Sequence, residues 1–371
     1  MRVSFPNGEK KDLKAVWIDQ KSLHVYFVDQ RILPSEIKIL ESNSVQKTAK
    51  FIQTMVIRGA PSIGIAGAYG IVQSAKEAYE KHLDTNIIKF HDQLAKDAKL
   101  LLETRPTAID LQNNIEKMLD LLKNIQGRQI PSIKKYLDLA LSLNSKLLEE
   151  CNNIAINGLT LIKDGYNILT HCHTGAFATV DIGTALAPLK LAYQKKIRIH
   201  VYVDETRPRL QGGKLTTWEL DEEGVPYTLI TDSTAASLMA KGKISMVITG
   251  ADRITMNGDV ANKIGTYNLA VLCKWHNIPF YIAAPWGTFH RSLITGDQIP
   301  IEERDKREIT HIKINQDHYE PIMFPTKKVY NPAFDITPNN LITGIITPKE
   351  IIYPPYSSNI KKILPKDINN D

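Results

Sequence analysis

The residues best suited to chemistry in this sequence are Cys172 and the histidines on either side of it, His171 and His173. They follow residues 166–169, a short apolar run typical of a buried strand, and precede the turn-forming pair Thr174-Gly175. A cysteine at the carboxyl end of a strand lies where open α/β sheets bind ligands, and a helix start there would lower the thiol pKa. Because a lone cysteine is more often buried and inert, the polar flanks are what favour a functional thiol.

A second candidate is Asp252, which follows the apolar run 246–250 and precedes Arg253. A carboxyl group that enters a crevice from a buried strand has a raised pKa, which suits a general acid or base. The alternatives are an ion pair with Arg253 and a helix cap. Spacing alone leaves these interpretations open.

Two arginines stand before prolines that suit the first turn of a helix. In the first case, the free amides of Gly59 and Ala60 beside the Arg58 guanidinium predict an anion site at a helix that begins near Pro61. The alternative is a close helix-packing face, which glycine and alanine also favour. Arg105 is the second arginine of this kind.

Further polar side chains lie in the second half of the chain. Asn262 and Lys263 stand together at a predicted helix start, where the lysine is either a phosphate contact or a solvated surface residue. Gln211 lies among cations and glycines in the segment 206–214. The consecutive residues 171–173 cannot all face one ion from an extended strand, so we predict no metal site there.

Strand-like runs from residue 166 onward must position most of these groups. Segments of ordinary crossover length separate the runs, which predicts βαβ units and a parallel sheet. A polar motif follows each run, and in a doubly wound sheet such ends share one edge, where a ligand crevice forms. The runs are residues 168–171, 197–203, 227–231, 245–249 and 280–283.

The N-terminal part has a different pattern. Alternating residues at 14–18 and 22–28 predict a β-hairpin, and longer helical patterns follow. We therefore predict two domains: a smaller, mostly helical domain with a β-hairpin at residues 1–132, and a Rossmann-like α/β catalytic domain with a parallel sheet at residues 133–371. Only the residues after Pro355 are expected to fray.

The 371 residues are 43% hydrophobic and 23% charged, an ordinary balance for a folded protein. The net charge of +6 is spread along the chain, which suits an anionic substrate and argues against a dedicated nucleic-acid arm. The three cysteines have no pair at short spacing, so we predict neither a disulfide framework nor a cysteine-type zinc site. With no signal-like N-terminus and no bilayer-length apolar run, we predict a cytoplasmic protein without nucleic-acid or membrane partners.

Several motifs combine these candidate residues. They are Arg58-Gly59-Ala60-Pro61, Arg105-Pro106-Thr107-Ala108, Cys172-His173-Thr174-Gly175, Glu205-Thr206-Arg207-Pro208-Arg209-Leu210-Gln211-Gly212, Gly250-Ala251-Asp252-Arg253 and Asn257-Gly258-Asp259-Val260-Ala261-Asn262-Lys263-Ile264-Gly265-Thr266. Together they resemble the methylthioribose-1-phosphate isomerase family over nearly the whole chain. The same fold family includes ribose-1,5-bisphosphate isomerases and regulatory subunits of a eukaryotic translation-factor exchange complex.

The resemblance implies an aldose–ketose isomerase of methionine salvage that converts 5-methylthioribose 1-phosphate to 5-methylthioribulose 1-phosphate without a metal or organic cofactor. It implies that Cys172 and Asp252 form the catalytic pair and that the protein is a homodimer joined through the C-terminal domain. The reaction proceeds either by proton transfer through Cys172 or by a hydride shift. The implied substrate-binding residues are Arg58, Gly59, Ala60, Arg105, Gln211, Asn262 and Lys263.

Two places depart from the usual pattern of this family. Asparagine usually follows the cysteine in this family, whereas this chain has His173, as ribose bisphosphate isomerases do. Trp286 and Phe289 stand where small hydroxyl residues and an aspartate are usual. We expect both places to lie near the far end of the substrate, where the aromatic rings favour a methylthio group over a second phosphate. The alternative functions are isomerisation of ribose 1,5-bisphosphate or 5-deoxyribose 1-phosphate, or a non-catalytic regulatory subunit.

Overall fold

A computed structural model describes residues 1–5, 8–105, 108–123, 130–313, 319–324, 326 and 328–366. Pro106 and Thr107, which belong to the second arginine motif, lie outside the described residues. Within the described part, no helix combines the length and apolar character needed to cross a membrane.

The N-terminal region consists mainly of helices packed around α2, with short strands at one side. Its elements are β1 Arg2–Ser4, β2 Lys10–Asp12, β3 Val16–Ile18, β4 Val25–Val28, β5 Ile39–Ser42, α1 Val45–Gln53, α2 Ala60–Glu80, α3 Ile87–Thr104, α4 Ile109–Lys123 and α5 Ile133–Leu159. Strands β3 and β4 form the predicted antiparallel hairpin, and β5 extends it on the β4 side.

Helix α2 is almost wholly buried and owes its close packing to glycine. A Cβ atom added at Gly64 would lie 2.8 Å from the carbonyl oxygen of Asp110, and one added at Gly67 would lie 2.4 Å from the Leu111 side chain. Residues without a Cβ therefore let α2 and α4 approach closely. The structure agrees with the packing-face interpretation of these glycines. It also agrees with the predicted helix start, since α2 begins at Ala60 with Pro61 in its first turn.

The C-terminal region alternates strands and helices. Its elements are β6 Tyr166–Thr170, α6 Leu186–Gln194, β7 Ile199–Asp204, α7 Thr217–Glu222, β8 Tyr227–Ile230, α8 Thr234–Ala240, β9 Met246–Thr249, β10 Arg253–Ile254, β11 Val260–Lys263, α9 Thr266–His276, β12 Phe280–Ala283, α10 Arg307–Thr310, β13 His311–Lys313, β14 Tyr319–Pro321, β15 Phe334–Thr337, β16 Gly344–Ile346, β17 Ile351–Ile352 and α11 Tyr356–Ile363.

One sheet organises this region, with strand order β17-β16-β12-β9-β6-β7-β8. The strands pair in parallel except for β17, which runs antiparallel at the edge beside β16. Each predicted strand run coincides with a strand of this sheet to within a few residues. The α/β class, with a parallel sheet and a mostly helical N-terminal part, is confirmed.

Both faces of the sheet are buried, because helices cover each of them. Successive side chains along a strand point to opposite faces and so enter two separate apolar cores. One face packs Leu169 and Val247 against apolar residues of α8, α9 and α11. The other packs Ile168 and Val201 against α5 and α6. Helix α5 also packs on α2, so it contacts both parts of the molecule.

Some local expectations were wrong. Lys263 ends strand β11 instead of beginning a helix, because residues 260–263 pair with β15. The chain after Pro355 does not fray at once: Tyr356 and Ile360 bury one side of α11 against the sheet. No α-helix starts directly after Cys172, since only a 3-10 turn at Ala176–Ala178 follows it and α6 begins at Leu186.

Candidate active site

All of the predicted site residues line a single cavity of about 460 Å³ between the helical region and the carboxyl edge of the sheet. Loops after β6, β7, β9 and β12 form the sheet side, and the start of α2 forms the opposite side. The predicted residues that line it are Arg58, Gly59, Ala60, Arg105, Cys172, Gln211, Asp252, Asn262 and Lys263.

Cys172 is held in a conformation that few non-glycine residues adopt. Its φ angle is +64°, in the left-handed region. The amide of Cys172 donates a hydrogen bond to the hydroxyl of Thr206 at 2.8 Å, and the hydroxyl of Thr216 donates to its carbonyl at 2.7 Å. These threonines, which come from the segment after β7, fix the main chain so that the thiol reaches the cavity.

Burial raises the pKa of the Cys172 thiol, although the positive charges of Arg58 and Lys263 oppose this effect. The charge of Asp252 raises it further. The expectation that a helix start lowers the thiol pKa was therefore wrong, because neighbouring cations take the place of a helix dipole and desolvation outweighs them.

Asp252 lies in the turn between β9 and β10, where its amide donates to the carbonyl of Ala261 at 2.9 Å. No helix begins at this turn, so the helix-cap interpretation was wrong. Burial raises the pKa of the Asp252 carboxyl, while the charges of Lys263 and Arg105 counteract this effect more than that of Arg253 does. A raised pKa makes this carboxyl group better suited to act as a general acid than an exposed aspartate.

The first turn of α2 brings a cation and free amides to the cavity. Arg58 donates a hydrogen bond to the main-chain carbonyl of His173 at 2.8 Å, which ties α2 to the loop after β6. Gly59 has φ +90°, and a Cβ there would lie 2.6 Å from the main chain of Ala178. The first amides of a helix have no partner within it, so this turn suits an anion.

Arg105 and Gln211 each bring a polar atom that has no hydrogen-bond partner among the described residues. The Nε of Arg105 and the Oε1 of Gln211 are both buried and unpaired. Arg105 follows the last residue of α3, and Gln211 precedes a π-helical turn at Gly212–Thr216. Buried polar groups are normally paired, so both atoms are suited to a bound ligand.

Lys263 and Asn262 enter the cavity from the end of β11. The ammonium of Lys263 donates to the carbonyl of Ala333 at 2.8 Å and lies 4.5 Å from the centre of the Phe334 ring. Burial lowers its pKa. The surface-lysine interpretation was therefore wrong. Asn262 is buried and donates to the hydroxyl of Thr266 at 2.9 Å.

A buried network behind Cys172 was not anticipated from the sequence. The carboxylate of Glu219 accepts hydrogen bonds from Nε2 of His173 at 2.9 Å, from Lys190 at 2.7 Å and from the amide of Ala176. Glu219 and Lys190 are far from Cys172 in sequence, so the local pattern around the cysteine does not reveal them.

His171 takes part in a second buried pair. Its Nδ1 lies 2.9 Å from the carboxylate of Asp204 and its Nε2 lies 2.9 Å from the carbonyl of Ile264. Both ring nitrogens are therefore engaged by protein oxygen atoms. Burial alone would lower the pKa of His171, but Asp204 raises it. Asp232 brings a third potential metal ligand within 4.8 Å, yet both ring nitrogens of His171 already contact Asp204 and Ile264.

The expectation that Trp286 and Phe289 contact the far end of the substrate was wrong. Both are buried in the apolar core on one face of the sheet, with ring centres 5.6 Å apart, and Pro285 is the residue of this segment that lines the cavity. Aromatic rings of this size gain most by full burial, which the core provides.

The cavity therefore combines two groups suited to proton transfer with several cations and free amides. Burial raises the pKa values of both Cys172 and Asp252, while Arg58, Arg105 and Lys263 supply positive charge. This arrangement suits acid–base chemistry on a small anionic molecule.

The chain is similar to known proteins over most of its length. The model of the initiation factor 2 subunit family matches residues 56–354. The chain is 46% identical to methylthioribose-1-phosphate isomerase of Acetivibrio thermocellus over 336 residues, which is 90% of this chain and 96% of the relative. It is 43% identical to 5-deoxyribose 1-phosphate isomerase of Moorella thermoacetica over 342 residues, which is 92% of this chain and 95% of the relative.

Solved structures show the same similarity. The crystal structure of 5-methylthioribose 1-phosphate isomerase from Pyrococcus horikoshii matches with a TM-score of 0.84 at 35% identity, over 95% of this chain and 96% of that one. The structure described as translation initiation factor eIF-2B, subunit delta, from A. fulgidus matches with a TM-score of 0.79 at 39% identity, over 95% of this chain and 99% of that one.

Proposed function

The chain belongs to the initiation factor 2 subunit family, and from this premise we propose that it isomerises 5-methylthioribose 1-phosphate to 5-methylthioribulose 1-phosphate. The observation that carries the proposal is that Cys172 and Asp252 line one cavity together with Arg58, Arg105 and Lys263. The isomerases among the relatives match more than nine-tenths of their own length, which supports an aldose–ketose isomerase over a protein that only shares the fold.

The chemistry of the substrate explains why two proton-transfer groups are needed. The phosphate on carbon 1 blocks simple opening to an aldehyde, so the ring oxygen must be protonated as its bond to carbon 1 breaks. Asp252 donates this proton. Cys172, as the thiolate, takes the proton from carbon 2 and returns it to carbon 1, and the proton of the 2-hydroxyl goes to Asp252 as the carbonyl forms. Proton balance is thereby restored.

A hydride shift is the alternative route from carbon 2 to carbon 1. It leaves Cys172 protonated, which agrees with its raised pKa, whereas proton transfer requires Arg58 and Lys263 to stabilise the thiolate. The two routes differ in solvent exchange. Turnover in D2O places deuterium at carbon 1 when a thiol exchanges with solvent during the reaction, and places none there in a hydride shift.

The binding groups divide by charge and geometry. Arg58, Arg105 and Lys263 hold the phosphate with the amides of Gly59 and Ala60, because cations and helix-start amides both stabilise a dianion. Gln211 and Asn262 complete the substrate contacts with amide groups. No metal or organic cofactor takes part in this proposal.

We further propose that the protein acts in methionine salvage in the cytoplasm, with residues 1–132 and 133–371 as its two domains and a homodimer as its assembly. Support for the dimer comes from helix α9, where Tyr267, Val271 and Trp275 lie four residues apart and remain 44%, 41% and 80% exposed. An exposed apolar stripe of this kind is typical of an interface.

The proposal is tested by incubating the purified protein with 5-methylthioribose 1-phosphate and following the ketose by NMR. The relative from Moorella thermoacetica makes 5-deoxyribose 1-phosphate the second substrate to assay, and ribose 1,5-bisphosphate is the third. The Cys172→Ser variant is the matched control for contaminating activity. If none of the three sugars turns over, the isomerase function is wrong and a ligand-sensing regulatory subunit takes its place.

A further inference from the structure

His171 lies between two sheets that carry different parts of the site. It directly follows β6 of the central sheet, and Cys172 is the next residue. Lys263 ends β11, which belongs to a separate sheet with strand order β10-β11-β15. The position of the ammonium relative to the thiol therefore depends on contacts between the two sheets.

The ring of His171 bridges these sheets by hydrogen bonds. Its Nε2 lies 2.9 Å from the carbonyl oxygen of Ile264, the residue after Lys263. Its Nδ1 lies 2.9 Å from the carboxyl group of Asp204 at the end of β7. A carbonyl oxygen only accepts, so Nε2 donates to Ile264 whatever the charge of the ring. One ring thus ties the turn after β11 to two strands of the central sheet.

The contact between the ring and this turn is close and shielded from water. A Cβ atom added at Gly265 would lie 2.8 Å from Cε1 of His171, so the ring packs directly against the main chain of the turn. His171 is only 1% exposed, and hydrogen bonds are stronger in such an environment than in water. Asp335 also holds the turn, because it accepts from the amide of Gly265 at 2.7 Å. Loss of the His171 contact should therefore displace the turn without unfolding it.

The relative position of Cys172 and Lys263 matters because their charges interact. Burial raises the pKa of the thiol and lowers the pKa of the ammonium, and the attraction between the two charged forms opposes both shifts. This attraction weakens as the charges move apart. The main chain of Cys172 has its own hydrogen bonds to Thr206 and Thr216, so a displaced turn would move Lys263 and leave the cysteine in place.

We propose that His171 is a positioning residue, which holds the turn after β11 so that Lys263 keeps a fixed position relative to Cys172. His171 is not among the residues that line the cavity, and it acts through the carbonyl of Ile264. The inference rests on the proposed function for the roles of the two residues that it positions, since there the thiol transfers a proton and the ammonium binds the phosphate.

Two polar variants separate the two hydrogen bonds of the ring. The side-chain amide of glutamine reaches close to the position of Nε2, so His171→Gln retains a donor to Ile264 and loses the contact with Asp204. The amide of asparagine ends close to the position of Nδ1, so His171→Asn retains the contact with Asp204 and loses the donor to Ile264. Only His171→Asn should therefore displace Lys263.

Steady-state kinetics should show this difference. We expect His171→Asn to raise KM by roughly tenfold, because a misplaced cation binds the phosphate less well, and to change kcat by less than about threefold. His171→Gln should keep KM within about threefold of the wild type. Both variants should lower the melting temperature, since each loses a buried hydrogen bond. Ile168→Val is the control for stability, because Ile168 lies in the core on β6. It should lower the melting temperature and leave the kinetics unchanged.

Alkylation of Cys172 gives a second readout, which does not require turnover. The rate of modification by iodoacetamide against pH reports the pKa of the thiol. This pKa should rise in His171→Asn, where Lys263 is displaced, and stay near the wild-type value in His171→Gln. A double-mutant cycle with Lys263→Met identifies the route, because His171→Asn should cause no further rise once the lysine is absent.

Gly265→Ala tests the same contact from the side of the turn, and it replaces His171→Asn if that variant does not fold. Its new methyl group would overlap the ring of His171 and push the turn away without changing any charge. It should raise both KM and the thiol pKa. Gly165→Ala is the matched control, because Gly165 also has a positive φ but open space around its Cβ position. Unchanged values in Gly265→Ala would overturn the positioning role.

The outcomes distinguish this proposal from the function on which it rests. Equal rises of KM in His171→Gln and His171→Asn would show that His171 only stabilises the fold. A rise in the thiol pKa that persists in the Lys263→Met background would show that the ring acts on Cys172 directly. Either result overturns the positioning role while the isomerase function stands. A wild type that converts none of the sugar phosphates would remove the proposed function, and the alkylation rates would still decide the role of His171.

Discussion

At the scale of single residues, the reactivity of Cys172 depends on neighbouring charges of opposite sign. Burial raises the pKa of the thiol, Arg58 and Lys263 lower it, and Asp252 raises it. Each charge acts through its effect on the thiolate, which a cation stabilises and an anion destabilises. Removing one neighbour should therefore move the pKa in a direction fixed by that neighbour's sign.

We predict opposite shifts for two substitutions. Asp252→Asn removes a negative charge and should lower the pKa of Cys172, whereas Arg58→Met removes a positive charge and should raise it. The measurement is the rate of alkylation by iodoacetamide against pH, followed by mass spectrometry. Cys151 and Cys273 are buried and serve as internal controls that should stay unmodified. Shifts of the same sign in both variants would contradict this electrostatic balance.

Substitutions of the proposed catalytic groups and of the proposed binding groups should change different kinetic constants. Cys172→Ser and Asp252→Asn should each lower kcat by roughly 10²- to 10⁴-fold with little change in substrate affinity, because the proton-transfer group is lost and the phosphate contacts remain. Lys263→Met retains the packing on Phe334 and should mainly raise KM. Steady-state kinetics with calorimetry checks this division, and near-normal turnover in Cys172→Ser would exclude the thiol from the mechanism.

At the scale of elements, the start of α2 and the segment after Cys172 form one unit. The hydroxyl of Ser62 donates to the carbonyl of Phe177 and accepts from the amide of Val180, and Gly59 lies against Ala178. The position of the Arg58 guanidinium therefore depends on a contact that only a glycine at residue 59 allows.

Gly59→Ala should reduce both stability and activity. A positive φ costs a non-glycine residue roughly 1–2 kcal/mol, and the overlap with Ala178 adds about 1–3 kcal/mol. Gly165→Ala is the matched control, because Gly165 has φ +82° and open space around its Cβ position. It should cost only the conformational part and leave kcat/KM unchanged. Chemical denaturation and kinetics of both variants test this, and equal losses in the two would show that the contact with Ala178 is unimportant.

The sequence reveals the parts of this fold that local patterns determine. The strands of the central sheet read as buried apolar runs, and polar motifs after them predicted which side chains meet at the cavity. Long-range pairing was not visible: Lys263 belongs to a strand only because β15 lies beside it. The Glu219–Lys190–His173 network and the φ of Cys172 likewise depend on residues distant in sequence.

At the scale of the whole molecule, the apolar core of the N-terminal region also contains residues from the C-terminal region. Its apolar core includes Ala176, Phe177, Val180 and Leu215, which lie in the segments that follow β6 and β7. The cavity is therefore shaped by contacts between both parts of a single chain. It follows that each copy carries a complete set of the proposed site residues, whatever its assembly.

The proposed dimer gives the last prediction. Burying Val271 and Trp275 of α9 against a second copy would remove the exposed apolar stripe by two-fold symmetry, the commonest arrangement of soluble homo-oligomers. Light scattering at micromolar concentration should give about twice the 41.7 kDa chain mass. The double variant Val271→Glu with Trp275→Glu should be monomeric, because a charged residue in an apolar interface is strongly destabilising.

The control is Ile88→Glu, an apolar residue that is 69% exposed on α3. It should leave the mass unchanged, since nothing in the proposal places α3 at the interface. The monomeric variant should retain most of the wild-type kcat/KM, because the cavity residues come from one chain. A wild type that remains monomeric, or a double variant that remains dimeric, would show that the α9 stripe has another role. Loss of activity on dissociation would instead mean that the partner stabilises the cavity of each chain.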